Sequence, residues 1–224
     1  MFIIPSKYVV NASRIFDCVG AISKFHPNEP ILVIDSNSDD KSYLNKLKEF
    51  SNIRISDYIN INYGAGALWK GFEEYPNEKY YFLIQDSMIL KKSFAQFLYD
   101  ENTWNLMYFN ELPFMPRELE YVQKVLSLTE YSPISNIGHV GVFGANCIYK
   151  QDIISNLVKK GLSKALLPNN KFESSVKERI MGICLSQEGV DIKKYSIEGD
   201  FIPKASAVIN DQLEYFTKIY GGRK

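Results

Sequence analysis

The sequence predicts an α/β fold of three layers, α/β/α, with a largely parallel central sheet. Three observations carry the prediction. Phe2-Ile3-Ile4, Ile31-Leu32-Val33-Ile34 and Tyr80-Tyr81-Phe82-Leu83-Ile84 are short, continuous apolar runs, as in strands covered on both faces. Between them, apolar residues recur at helical spacing. Strand and helix alternate through the first half, which calls for parallel neighbours joined by right-handed crossovers.

In order, Phe2 to Ile4 is a strand, and Ile15, Val19, Ile22 and Phe25 mark a helix running on from Asn11. Ile31 to Ile34 is a strand ending at Asp35 in the polar loop Ser36-Asn37-Ser38-Asp39-Asp40. Ser38 or Asp39 is placed to cap a helix bearing Tyr43, Leu44, Leu47 and Phe50. After a weak strand at Ile53-Arg54-Ile55, Asn62-Tyr63-Gly64-Ala65-Gly66 opens a helix with Leu68, Phe72 and Tyr75. Tyr80 to Ile84 is a central strand ending in Gln85-Asp86-Ser87.

The second half is less regular. Trp104 to Phe109 reads as a strand, Leu119 to Thr129 as a helix, and Val140 to Phe143 with Cys147 to Tyr149 as a broken strand pair. A helix near Asp152 carries Ile153, Leu157 and Val158, and another aligns Val176, Ile180 and Ile183. From Gly199 onward, Pro203, Gly221 and Gly222 suggest a tail wrapping the domain.

At 224 residues and 46% hydrophobic, the chain suits one domain, 1–224, with a sizeable core. Lys plus Arg and Asp plus Glu number 26 each, so no overall charge recruits nucleic acid or an anionic membrane. Pro5 and Lys7 interrupt the N-terminal apolar run, which predicts no signal peptide or transmembrane segment and a cytoplasmic protein. Cys18, Cys147 and Cys184 show no metal-site or disulfide spacing. His26, before Pro27, reads as a surface helix end.

Ligands of open α/β sheets sit beyond the strand C-termini, where Asp35 and Asp86 fall. A carboxylate there, Asp86 first, is suited to a divalent metal that neutralises a diphosphate, or to capping a loop. Asp35 with Ser36, Asn37 and Ser38 is suited to a ribose or base, or to an Asx turn and helix cap. Gly64 and Gly66 allow close phosphate approach at a helix start. The Gly144-Ala145-Asn146 turn could meet an acceptor hydroxyl or close a hairpin. Glu173 and Glu178 lie near a helix start, where the dipole favours them, and a glutamate facing the cleft could serve as general base. His139 is a candidate metal ligand, although a lone histidine is more often structural.

Taken together these pieces resemble the GT-A glycosyltransferases over roughly residues 1–200. Ile31 to Asp40 is similar to their nucleotide-binding strand and loop, Phe82 to Ser87 to their acidic strand end, and Gly144 to Lys150 to their acceptor-side loop and strand. The resemblance implies a Rossmann-like nucleotide-sugar-binding half at 1–110, an acceptor-side half at 111–200 and a tail at 201–224. It implies donor contacts from Pro5, Asp35, Ser36 and Asn37, from Gly64 and Gly66, and from Gln85, Asp86 and Ser87. Acceptor contacts fall to Gly144, Ala145 and Asn146, and the base to Glu178. The implied reaction passes a sugar from a UDP- or GDP-sugar to a hydroxyl of a glycan, lipid-linked or protein acceptor, with inversion. The implied cofactor is Mn or Mg on Asp86 and His139.

The family's acidic motif has two carboxylates, whereas here Gln85 and Ser87 flank one. Asp35, His139, Glu111 or the donor phosphates would have to complete a metal shell. Without metal, cations such as Lys218, Arg223 and Lys224 would have to meet the diphosphate. A binding module that has lost the acidic motif is the alternative. A nucleotidyltransferase would need a basic Gly-rich signature after the first strand, which Phe2 to Tyr8 lacks.

Overall fold

Every side chain of the first apolar run is buried, and alternate residues enter different cores: Met1 and Ile3 one, Phe2 and Ile4 the other. The computed structural model describes residues 1–10, 13–135, 138–201, 209–210 and 212–219, without the side chains of 111, 112, 209 and 210.

In chain order the elements are β1 (Phe2–Ser6), α1 (Ile15–Phe25), β2 (Ile31–Asp35), α2 (Ser42–Leu47), β3 (Ile53–Ile55), α3 (Tyr63–Glu74), β4 (Tyr80–Leu83), β5 (Met88–Leu90), α4 (Ala95–Leu98), β6 (Trp104–Asn105) and β7 (Tyr108–Leu112). Then come α5 (Pro116–Leu126), β8 (His139–Val142), a 3-10 turn at Phe143–Ala145, β9 (Cys147–Lys150), α6 (Gln151–Lys159), α7 (Leu162–Ala165), α8 (Lys171–Gln187), β10 (Ile209–Asn210) and β11 (Phe216–Ile219).

The main sheet has the order β3-β2-β1-β4-β9-β6. The pairs from β3 to β4 are parallel, and β9 lies antiparallel to both β4 and β6. Side chains alternate across this sheet, so continuous apolar runs supply two cores. Leu32, Ile34, Tyr81 and Leu83 meet Leu68 of α3, Val125 of α5 and Ile180 of α8 on one face. Ile31, Val33, Tyr80 and Phe82 meet Cys18, Val19 and Ile22 of α1 and Leu47 of α2 on the other. The expected α/β/α layering and largely parallel sheet are therefore present. Each Ile or Leu buried this way contributes about 1.5–3 kcal/mol, and loss of the pleat register would expose a whole face.

The second half departs from expectation. The predicted pair Val140–Phe143 and Cys147–Tyr149 does not form: β8 pairs with β7, while β9 joins the main sheet. The turn between them carries left-handed residues, which re-aim the chain instead of closing a hairpin. Trp104 to Phe109 likewise divides into β6 and β7, which belong to different sheets. Neither Ser38 nor Asp39 caps α2; Ser38 Oγ instead accepts the Tyr8 N–H at 2.8 Å, and α2 starts after Lys41. His26 is buried, not a surface group: its Nε2 accepts the Phe94 N–H at 3.0 Å, and burial lowers its pKa. From the tail, β11 pairs with β5 and β10 pairs with β11; Pro203, Gly221, Gly222, Arg223 and Lys224 lie outside the described residues, as does Asn11. No helix among the described residues is long and apolar enough to cross a membrane.

Candidate active site

Strand order turns around at β1: β2 and β3 lie to one side and β4 to the other, which opens a crevice beyond their C-terminal ends. A cleft of about 650 Å³ occupies that crevice. Pro5 contributes from β1, Ser36 and Asn37 from the loop after β2, and Gln85, Asp86 and Ser87 from the end of β4. Gly64 at the start of α3 and Gly144 and Asn146 of the 3-10 turn also line it.

Asp86 is buried at the floor, where its Oδ2 accepts the Ser6 hydroxyl at 3.1 Å. Its two chain neighbours face Lys218 of β11, whose ammonium donates to Gln85 Oε1 at 2.5 Å and to Ser87 Oγ at 2.6 Å. A cation is thereby fixed among the oxygens that flank the carboxylate.

One wall is the first turn of α3, whose leading N–H groups have no intrahelical acceptor. Asn60 organises that turn: its Oδ1 accepts the Asn62 N–H, and its Nδ2 donates to the Tyr63 carbonyl at 2.6 Å. Asn62 Nδ2 reaches the Pro168 carbonyl and Asn169 Oδ1, both at 3.3 Å, and so ties this wall to the segment leading into α8. On α8, Asn170 caps by accepting the Glu173 N–H at 2.9 Å. Lys177, further along α8, lines the cleft at 3% exposure, and a Cβ placed on Gly64 would lie 3.3 Å from its Nζ. Its ammonium has no hydrogen-bond or ion-pair partner among the described residues, and burial lowers its pKa against the pull of Glu178.

Among the described residues Lys7, Lys171 and Lys177 line the cleft against the single carboxylate of Asp86, so the cavity favours an anion. The non-glycine residues with positive φ among those described are Asn37, Tyr63 and Ala145; the first two line the cleft and the third sits between Gly144 and Asn146. Such backbone costs on the order of 1–3 kcal/mol per residue and gathers where a site demands it. Asn146 adds an orphan: its Nδ2 donates to the Phe143 carbonyl, while Oδ1 is buried without a partner.

Several nominated residues stand elsewhere. Asp35 shares the sheet edge with Ser6, but its Oδ1 accepts the Tyr43 hydroxyl at 2.8 Å and its Oδ2 the Ser38 N–H at 3.0 Å; it does not line the cleft. Gly66 lies behind the wall, where a Cβ would come within 2.3 Å of Asn60 Oδ1; its smallness admits the Asn60 staple and not a phosphate. Ala145 is buried, its carbonyl accepting the Tyr149 hydroxyl. Glu178 is partly buried one layer behind the cleft, where the Gly144 N–H donates to its carboxylate and desolvation pushes its pKa up to about 7. Glu173 Oε2 accepts the Asn169 N–H.

His139 is also away from the cleft. It packs 6.0 Å from the Phe114 ring, and its Nε2 is buried without a partner. Sequence reasoning passed over Lys177, although a legible signal existed: Lys177, Ile180, Met181 and Cys184 fall on one helical stripe, so a charge interrupts a buried face. Lys7 and Lys171 left no such mark.

The donor set beside Asp86 does not fit a divalent ion. Mg and Mn take about six oxygen ligands and prefer carboxylates. Here one carboxylate among the described residues faces the cleft, and both neighbouring side-chain oxygens already accept an ammonium. No group of three His, Cys, Asp or Glu side chains suited to a metal occurs among the described residues, which do not include the Glu111 side chain.

No protein-family model and no curated protein matches the sequence. Solved structures do. The 1–349 fragment of S. aureus TarS in complex with UDP is 13% identical, with a TM-score of 0.46, over 79% of this chain and 53% of that one. Core-mannan synthase A of Aspergillus fumigatus in its Mn/GDP form is 11% identical, with a TM-score of 0.48, over 87% and 71%. Glucosyl-3-phosphoglycerate synthase of Mycobacterium tuberculosis, with Mn, UDP and glucosyl-3-phosphoglycerate, is 14% identical, with a TM-score of 0.35, over 84% and 79%. All three are GT-A glycosyltransferases. The chain spans about half the length of the TarS fragment it matches. At these identities and TM-scores the likeness carries no argument about chemistry in this chain, which rests on its own cleft.

Proposed function

We propose that this chain is a glycosyltransferase that takes a sugar from a nucleoside-diphosphate sugar, UDP- or GDP-linked, and passes it to an acceptor hydroxyl. The observation that carries the reading is the lysine-rich cleft at the β1/β4 crevice, floored by Asp86 and entered by the first turn of α3. Such a cavity suits a diphosphate, and its rim offers the Tyr63 ring and Ile61, 65% exposed, as apolar surface for a base or sugar.

In this reading Ser36 and Asn37 meet the nucleoside while Asp35 holds their loop from behind. The acceptor hydroxyl enters over Gly144 and Asn146 and loses its proton through one relaying water to Glu178, which stands behind Gly144 and whose raised pKa suits a base near neutrality. The oxygen attacks the anomeric carbon, the bond from that carbon to the phosphate oxygen breaks, and the nucleoside diphosphate leaves with the bonding pair. Displacement from the far side inverts the anomeric centre. Lysines fixed around the leaving group stabilise the charge that develops there. An acceptor that is a glycan, lipid-linked or protein hydroxyl fits the reading, as does action in the cytoplasm.

A panel of nucleotide sugars, read for thermal stabilisation and for release of nucleoside diphosphate, tests this. Stabilisation and turnover by a UDP- or GDP-sugar support it; no response to any member of the panel sinks it. Stabilisation without turnover toward any acceptor would favour the second reading, a sugar-nucleotide-binding module, for which the uncharged Gln85 and Ser87 speak.

A further inference from the structure

We propose that the cleft binds the diphosphate without a divalent metal, with Lys177 and the first turn of α3 as direct donors and Lys218 supplying the charge beside Asp86. The inference rests on the proposed function for the identity of the ligand, but its geometry stands alone.

A buried ammonium with no partner is costly, and it persists where a ligand's charge repays it. Lys177 is such a group, 3% exposed and lining the cleft. It lies beside Gly64, so that its Nζ and the leading N–H groups of α3 converge on one region of the wall. A phosphate there would accept from an ammonium and from helix amides together, and the 12-residue α3 adds its dipole.

Lys218 stands beside the strand end that carries Asp86. Held at 2.5 Å from Gln85 and 2.6 Å from Ser87, it puts a fixed positive charge where oxygens next to Asp86 would otherwise recruit a cation. A divalent ion at that point would have to displace the ammonium and meet its repulsion. With Lys177 beside Gly64 and Lys218 beside Gln85 and Ser87, two localised charges can take over the neutralising task that one divalent ion performs elsewhere.

The test measures binding of UDP, GDP and inorganic pyrophosphate to the intact chain by calorimetry, in EDTA and in Mn. Equal affinity in EDTA and Mn, reduced tenfold or more in Lys177→Met and in Lys218→Met, is the expected result. Ligand-free Lys177→Met should also melt at a higher temperature than the parent, because an unpaired buried charge is gone. Nucleotide binding that appears only with Mn overturns the inference and leaves the glycosyltransferase reading standing. Lysine-dependent pyrophosphate binding in EDTA with no nucleotide binding upholds the anion site and removes the nucleotide reading. No binding of any probe overturns both. Should either variant fail to fold, the comparison of EDTA with Mn in the parent protein still decides.

Discussion

Lys218 and Gln85 stand 133 residues apart in the chain, yet the Lys218 ammonium donates to Gln85 Oε1 at 2.5 Å. Pairing of β11 with β5 in the register Lys218 to Met88 creates the contact, because Met88 follows the Gln85-Asp86-Ser87 strand end directly. A segment that reads as a basic tail thus packs beside the strand end that floors the site, and the charge around Asp86 differs from what the local sequence suggests.

Asp86→Asn keeps the shape of the floor and an acceptor for the Ser6 hydroxyl, while removing the one carboxylate that faces the cleft among the described residues. In the proposed reading Asp86 accepts a hydroxyl of the donor sugar, a charged hydrogen bond worth about 1.5–3 kcal/mol, so turnover of the donor should fall by roughly 10-fold or more, with the melting temperature changed little. Undiminished transfer by this variant would take Asp86 out of the mechanism.

Glu178 titrates at about 7 in the folded chain, against 4.5 for an ordinary glutamate, because burial disfavours its charge. If it is the base, kcat/KM rises with pH through about 7 and levels above it. The native state holds this proton where the unfolded chain has released it. Its contribution to stability is therefore full below about 4.5 and lost as pH climbs to about 7. Glu178→Gln should abolish the kinetic limb and gain on the parent between pH 4.5 and 8, by on the order of 1–3 kcal/mol. A parent profile flat from pH 5 to 9 would exclude the assignment.

Gly144 adopts φ 63°, and a Cβ there would come within 2.3 Å of Asn146 Nδ2 and 2.6 Å of Gln85 Nε2. Gly144→Ala meets both the left-handed backbone and the clash, so a loss of about 1–3 kcal/mol is expected in urea unfolding. Affinity for a nucleotide should fall as well, since the displaced amides belong to the cleft.

Tyr43→Phe deletes the hydroxyl that satisfies Asp35 Oδ1 but keeps the ring stacked 4.7 Å from Tyr8. Leaving a buried carboxylate oxygen short of a donor costs roughly 1–3 kcal/mol. With Asp35 acting behind the loop, nucleotide affinity should change less than threefold; a collapse of affinity without loss of stability would show that Asp35 touches the ligand.

Much of the fold was legible because its signals are local. The continuous apolar runs of β1, β2 and β4 state that both faces are covered, and helical spacing in α1, α3 and α8 states which stripe turns inward. Polar residues just after β2 and β4 could be placed at one sheet edge from chain order alone, and Pro5, Asn37, Gly64 and Gln85 do meet in one cleft. Asp35 misled because an Asx-type network with Ser38 and Tyr43 and a ligand contact look the same in sequence.

By itself, then, the sequence determined the layering, the parallel core and the edge where a ligand would sit, since hydrophobic periodicity and strand direction follow from residues close in the chain. Only the tertiary structure decided that β8 and β9 part into separate sheets, that Lys177 faces a cavity, and that Lys218 arrives beside Asp86. Those outcomes depend on which distant segments pair. Pairing is settled by the summed packing of many weakly specified contacts, which no short stretch of sequence contains.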